Sequence, residues 1–314
     1  MIWLIGAGPM AIDYFNVLIE LNKDLTVIGR SKKSAKQFEA LTGKPVIIGG
    51  IEAFLKTQPK RPSSVIISTS VEQLATTALV LMKYGVKNIL IEKPGGISSK
   101  EIKTVANMAK TTDSSIFVAY NRRYYASVQK AQEMIEVDGG VISFNFEITE
   151  WSHVIQNHQK DLRTMHSWFL GNTTHVIDTA FFLGGNPTKL CTFKNGSLEW
   201  HPASSNFSGA GITDKDALFS YSGNWKGPGR WSLDVISKKR RYIFRPFEQL
   251  HTQQIGSIAI NKVEIDSGRE KELKPGLYLQ CESFLNGNTS NMCTIEAQVA
   301  LSKIYEEMAG YHQT

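Results

Sequence analysis

Cysteine is scarce in this chain of 314 residues: Cys191, Cys281 and Cys293 are an odd, widely spaced set without a CxxC pair. That argues against a disulfide frame or a zinc site and suits reduced thiols in the cytoplasm. No apolar run approaches the ~20 residues that span a bilayer, so no membrane segment is expected. Met1 leads directly into an apolar strand, without the basic stretch and small-residue cleavage site of a secretory leader. There are no internal repeats and no low-complexity tracts. Runs of basic residues are also scarce. The net charge is +6, yet only Lys238 to Arg241 forms a run, which favours an anionic small ligand over nucleic acid. What remains is a composition of 42% hydrophobic and 20% charged residues, that of a globular protein long enough for two domains.

The first of these domains is announced at once. Ile2 to Ile5 reads as a buried strand, GAGPMA (Gly6 to Ala11) follows, and Ile12, Phe15, Leu18 and Ile19 recur at helical spacing. This is GxGxxG/A in its strand, turn, helix context. Gly6 makes the turn, Gly8 lets backbone approach a pyrophosphate, Pro9 and Met10 open the helix, and its amides favour phosphate. A further absence comes at the end of the second strand, Leu25 to Gly29, where NAD-binding chains place an acid against the ribose. Here stand Arg30, Ser31, Lys32 and Lys33. A guanidinium and a hydroxyl suit a 2′-phosphate, so NADP(H) is the expected cofactor, with NAD(H) as the lesser option. The alternative is that Arg30 starts an exposed helix that Ser31 caps.

Strand and helix then alternate to residue 120, which predicts a doubly wound parallel sheet. Ser68, Thr69 and Ser70 end the Val65 strand, where the nicotinamide half could be hydrogen-bonded or a helix merely capped. The apolar run ILIEKPGG (Ile89 to Gly96) stops at Glu92 and Lys93, with Pro94 breaking the ladder, a cis bond being one way to do so. Ligands bind outside the carboxyl ends of such strands, so Lys93 stands where substrate meets cofactor. The bland reading is a solvated lysine in an ordinary turn. Further on lie YNRR (Tyr120 to Arg123) and NTTHVID (Asn172 to Asp178), the latter opening a helix with His175 in its first turn. On its own, such a histidine is more often structural filler.

GAGPMA, IEKPGG, YNRR and NTTHVID, in this order and spacing, resemble the Gfo/Idh/MocA family of NAD(P)-dependent sugar oxidoreductases. The resemblance implies a Rossmann domain (residues 1–120) followed by an α+β domain (121–314) with a large, mostly antiparallel sheet that carries the contacts of a homo-oligomer, dimer or tetramer. It places Lys93 beside the nicotinamide and makes His175 the acid/base or the residue that binds the reacting hydroxyl, with Glu92 and Asn121 among the cofactor contacts. One departure is visible: the Asp that family members commonly carry four residues before the histidine is Gly171, with Asn172 next to it.

The second half predicts a helix over Tyr124 to Ile135, a strand over Val141 to Thr149, and short strands from Leu190 onward, including Ser257 to Ile260. Asn195 to Asp214, rich in Ser, Gly and Asn, reads as a loop or worn hairpin. Two helices close the chain. Trp225 and Trp231 read as sheet packing. Arg122, Arg123, Trp151, His153, Lys160, Arg163, Asn172 and Asp178 are candidate contacts to an anionic carbohydrate such as a nucleotide sugar or a sialic-acid-like sugar, and Asp178 could instead orient the His175 ring. The expected activity is hydride transfer between NADP(H) and a sugar carbinol or carbonyl, with no metal. A redox-neutral sugar lyase or epimerase that retains its cofactor, and a silent NADP-binding regulator, are the alternatives.

Overall fold

Short runs of branched apolar residues become the central strands of the first sheet because both of their faces are covered. The computed structural model describes residues 1–158 and 160–311. Through residue 119 it runs β1 (Ile2–Ile5), α1 (Pro9–Glu20), β2 (Leu25–Gly29), α2 (Lys32–Thr42), β3 (Val46–Ile48), α3 (Gly50–Lys56), β4 (Ser64–Ile67), α4 (Val71–Lys83), β5 (Asn88–Glu92), α5 (Ser99–Thr112) and β6 (Ser115–Ala119). After a 3₁₀ turn at Asn121–Tyr124 come α6 (Ala126–Val137), β7 (Val141–Glu147), α7 (Ser152–Ile155), α8 (Leu162–His166), and, behind a π-turn at Phe169–Thr173, α9 (Thr174–Gly184). Seven strands follow: β8 (Pro187–Asn195), β9 (Asn206–Thr213), β10 (Leu218–Asn224), β11 (Ser232–Ser237), β12 (Arg240–Phe244), β13 (His251–Gln254) and β14 (Ile260–Lys262). The chain closes with α10 (Leu277–Asn286), β15 (Cys293–Thr294) and α11 (Ile295–Ala309).

The chain forms two compact units, Met1–Asn121 with Arg269–Ser302, and Arg122–Gly268 with Lys303–Thr314. The first holds a sheet in the order β15-β6-β5-β4-β1-β2-β3, parallel except for β15. From β1 the chain builds outward to β3, then returns to the other side of β1 with β4, so β1 and β4 flank the topological switch point. The family resemblance puts residues 269–302 in the second domain, but they belong to the first unit. There β15 pairs the open edge of β6 (Cys293 opposite Val118), and Phe284 of α10 meets Phe117 edge-on at 6.2 Å.

The second unit is an eight-stranded sheet in the order β14-β13-β12-β11-β7-β10-β9-β8, antiparallel except for β7 with β10. Helix α9 packs on one face, where Phe181 sits edge-on to Phe144, Phe146 and Phe219 at 5.2 to 6.1 Å. The Ser/Gly/Asn segment, expected as a loop or worn hairpin, is a connection over residues 196–205 followed by β9, which closes a hairpin with β8 and pairs along its length with β10. Its glycines reflect crowding rather than looseness, because a Cβ at Gly209 or Gly211 would lie 2.5 to 2.6 Å from the rings of Tyr221 and Phe219. Of the strand expected at Ser257–Ile260, residues 257–259 lie in the turn between β13 and β14 and only Ile260 is strand, opening β14, with Ile255 and Ile258 largely exposed. No helix among the described residues is long and apolar enough to cross a membrane.

Candidate functional site

Where β1 ends, Gly6 turns the chain at φ +127°, and a Cβ there would lie 2.5 Å from the Ser68 carbonyl oxygen. The turn therefore brings the ends of β1 and β4 together, and Ser68 ties them by donating its backbone N–H (2.8 Å) and its hydroxyl (3.2 Å) to the Ile5 carbonyl. Gly8 differs: nothing stands within 4 Å of a Cβ built on it. It opens on a cleft of about 260 Å³ that gathers Gly6, Gly8, Arg30, Ser31, Ser68, Thr69 and Ser70. Pro9 and Met10 form the first turn of α1, whose amides no described side chain caps, so their partial positive charge faces outward. Ser31 both lines the cleft and caps α2, accepting from the Ser34 amide at 3.2 Å. Ser70 donates to Glu72 at 2.5 Å. The buried hydroxyl of Thr69 has no hydrogen-bond partner among the described residues.

Two strands along, β5 ends at Glu92, and the Lys93–Pro94 peptide is cis. The Glu92 carboxylate accepts from the Tyr14 hydroxyl at 2.6 Å. Burial pushes that carboxyl above its usual range while Tyr14 and Lys93 draw it back, and burial beside Glu92 drives the Tyr14 phenol well up. Gln298 of α11, fully buried, donates to the Pro94 carbonyl and the Tyr120 hydroxyl, both at 3.0 Å, so the turn holding Lys93 is buttressed from more than 200 residues away. Asn121 is buried, with its amide donating to the Pro275 carbonyl at 3.0 Å. Sequence reasoning missed Tyr14, which sits in an apolar helical stripe, and Gln298, which carries no local signal.

In the second unit the two consecutive arginines part company. Arg123 donates twice to Asp178, at 2.8 and 2.6 Å, and the carboxylate is fully enclosed. Burial raises the Asp178 carboxyl and Arg123 opposes the shift. Asp178, for which the sequence left open a substrate contact or the His175 ring, is instead held by Arg123, because a carboxylate on the buried side of α9 must be paired. Arg122 lies instead over aromatic rings, with its guanidinium carbon 4.9 Å from Trp231, 5.2 Å from Tyr125 and 5.5 Å from Phe247. Arg230 stacks on Trp231 and Trp151 at 4.7 and 4.8 Å, and the Trp151 indole donates to the Gly229 carbonyl. The ring of His175 is 6.3 Å from that of Trp231.

The carboxylate that reaches this neighbourhood is Glu150, another residue the sequence did not flag. It accepts from Asn172 and Thr173 at 2.8 Å each and faces Arg230 at 3.4 Å, and burial raises its carboxyl above the usual range. His153 is exposed on α7, Arg163 pairs with Asp161 in its own turn, and Lys160 lies 5.3 Å over Trp168. Trp225 is core, stacked 5.6 Å from Trp200. Trp231, read as sheet packing, lies just before β11 and carries both arginines.

No protein-family model matches the chain, and no curated protein sequence matches it. Solved structures do. UDP-N-acetylglucosamine 3-dehydrogenase from Acidithiobacillus ferrooxidans aligns at 14% identity and TM-score 0.75, over 99% of this chain and 96% of that one. A levoglucosan dehydrogenase complexed with NADH and levoglucosan aligns at 16% and 0.78, over 99% and 96%. An oxidoreductase from Desulfitobacterium hafniense described as NADPH-dependent aligns at 16% and 0.80, over 98% and 94%. At these identities the likeness establishes a shared two-part fold.

Proposed function

We propose that this chain is a Gfo/Idh/MocA-type oxidoreductase that moves a hydride between NADP(H) and a carbohydrate. The observation that carries the reading is the cleft at the β1/β4 switch point, where the open space above Gly8 and the orphaned Thr69 hydroxyl fit a dinucleotide. Arg30 and Ser31 at the cleft support the 2′-phosphorylated form. The carbohydrate class draws on the sugar dehydrogenases that share the fold.

When bound, the nicotinamide accepts or supplies the hydride. This chain's residues do the rest. The uncapped amides of α1 hold pyrophosphate, and Thr69 offers a hydrogen bond deeper in the cleft. Lys93 stabilises negative charge on the reacting oxygen, and His175 takes the hydroxyl proton as the carbinol becomes a carbonyl, or returns it in reverse. Arg123 and Asp178, expected as substrate contacts, fix α9 and so the base of His175. Leu218 and Ile236, both opposite Ser143 in register, and Phe193 on β8 are exposed on the sheet face away from α9, which supports a homo-oligomer.

The test separates binding from chemistry. Lys93→Met should abolish most turnover with NADPH affinity unchanged, and His175→Ala should cost about 10²-fold or more in kcat. Arg30→Ala should weaken NADPH about tenfold and leave NADH untouched, the loss of one charge-assisted phosphate contact of about 1.5 kcal/mol. Full turnover in both catalytic variants would overturn the mechanism, and equal affinity for the two cofactors would overturn the NADP assignment.

A further inference from the structure

Of the three arginines gathered near α9, two are answered by carboxylates: Arg123 by Asp178 and Arg230 by Glu150. The third is not. The Arg122 side chain makes no hydrogen bond or ion pair with any described residue, and its Nε is buried without a partner. A buried donor left unmade is costly unless something accepts it in the working state. Three rings, those of Trp231, Tyr125 and Phe247, hold the guanidinium. Stacking engages the face of a guanidinium and leaves its edge, which carries the N–H fork, for a planar or tetrahedral oxyanion. A fork held in this way loses little freedom on binding.

The position matters as much as the charge. Trp231, on which Arg122 lies, is the same ring that stands 6.3 Å from His175. An oxyanion received by Arg122 is then one indole away from the histidine, close to the carbon that would react. We propose that the substrate carries an oxyanion, carboxylate or phosphate, within a few bonds of that carbon, and that Arg122 binds it. This deepens the oxidoreductase reading and rests on it. Arg123, the neighbour with the same residue type, is excluded from the task by its closed pair with Asp178.

The experiment titrates the full-length protein calorimetrically, with NADP⁺ present, using three panels of gluco, galacto and manno configuration: hexuronates, hexose 1-phosphates and neutral hexoses. At least one anionic panel member should bind about tenfold or more tightly than its neutral counterpart, the scale of one charge-assisted fork. Arg122→Gln should erase that advantage while leaving the neutral sugar unchanged, and Arg122→Lys should restore part of it. Preference for uronates identifies a carboxylate, preference for the 1-phosphates a phosphate, and either supports the site. Equal affinity across the panels, no binding of any anion, or an unchanged advantage in a folded Arg122→Gln overturns it. The wild-type comparison stands even if a variant does not fold. Arg122-dependent binding without reduction of NADP⁺ would keep the oxyanion site and sink the oxidoreductase reading. Turnover of neutral sugars, unaffected by Arg122→Gln, would do the reverse.

Discussion

Asp138, at the end of α6, accepts from the Arg240 guanidinium at 2.9 and 2.5 Å, from the Tyr242 hydroxyl at 2.5 Å and from Ser237 at 2.8 Å. Arg240 above all, with Tyr242 and Ser237, outweighs burial and holds the carboxyl well below the usual aspartate range. The folded state thus binds this proton less readily than the unfolded chain does. Asp138 accordingly contributes stability that is complete above the unfolded aspartate pKa of ~3.9 and is lost as pH falls toward its depressed folded value. Urea midpoints measured between pH 6 and pH 2 should show a steep acid limb, shallower in Asp138→Asn. An identical pH slope in the two proteins would mean that other carboxylates govern acid unfolding.

Gly6 and Gly8 belong to one turn and should fail in different ways. Gly6→Ala places a Cβ 2.5 Å from the Ser68 oxygen at a φ foreign to alanine, so the β1/β4 junction must shift; a loss of about 1–3 kcal/mol is expected in denaturant titration. Gly8→Ala meets open space. It should fold with unchanged stability yet bind NADPH poorly, because the methyl projects into the cleft that fluorescence titration probes. A Gly8→Ala protein with full affinity would show that pyrophosphate lies elsewhere. Much of this element was legible in sequence, since a buried strand, a glycine turn and a helix declare themselves through local spacing. The same holds for the parallel strands of the first sheet. Strand β9 was not legible, because the reason for its glycines, the rings of Phe219 and Tyr221, lies on a neighbouring strand. Nor was Glu150, which follows β7 and reads as a solvated strand end until Asn172 and Thr173 are seen donating to it. Arg122 and Arg123 look equivalent in sequence, and only their partners, aromatic rings for the one and Asp178 for the other, tell them apart.

For the whole molecule, the return of residues 269–302 to the first unit decides what folds. A chain ended at Gly268 lacks Leu277, Phe284, Ile295 and Leu301, all buried, and leaves the β6 edge unpaired. At roughly 1.5–3 kcal/mol for each buried side chain, their loss rivals the usual net stability of about 5–15 kcal/mol. Calorimetry of residues 1–268 should therefore show no cooperative melting of the first unit. A sharp transition at the temperature of the full chain would refute the argument.

The chain passes between its two units at Asn121, at Gly268 and again inside α11, after Ser302. In hereditary terms, no single breakpoint in the gene can transplant one unit onto a foreign partner. A crossover near codon 121 would carry across residues 269–302, taking β15 from the edge of β6 and Gln298 from the Pro94 carbonyl, while one near codon 302 would divide a helix between two ancestries.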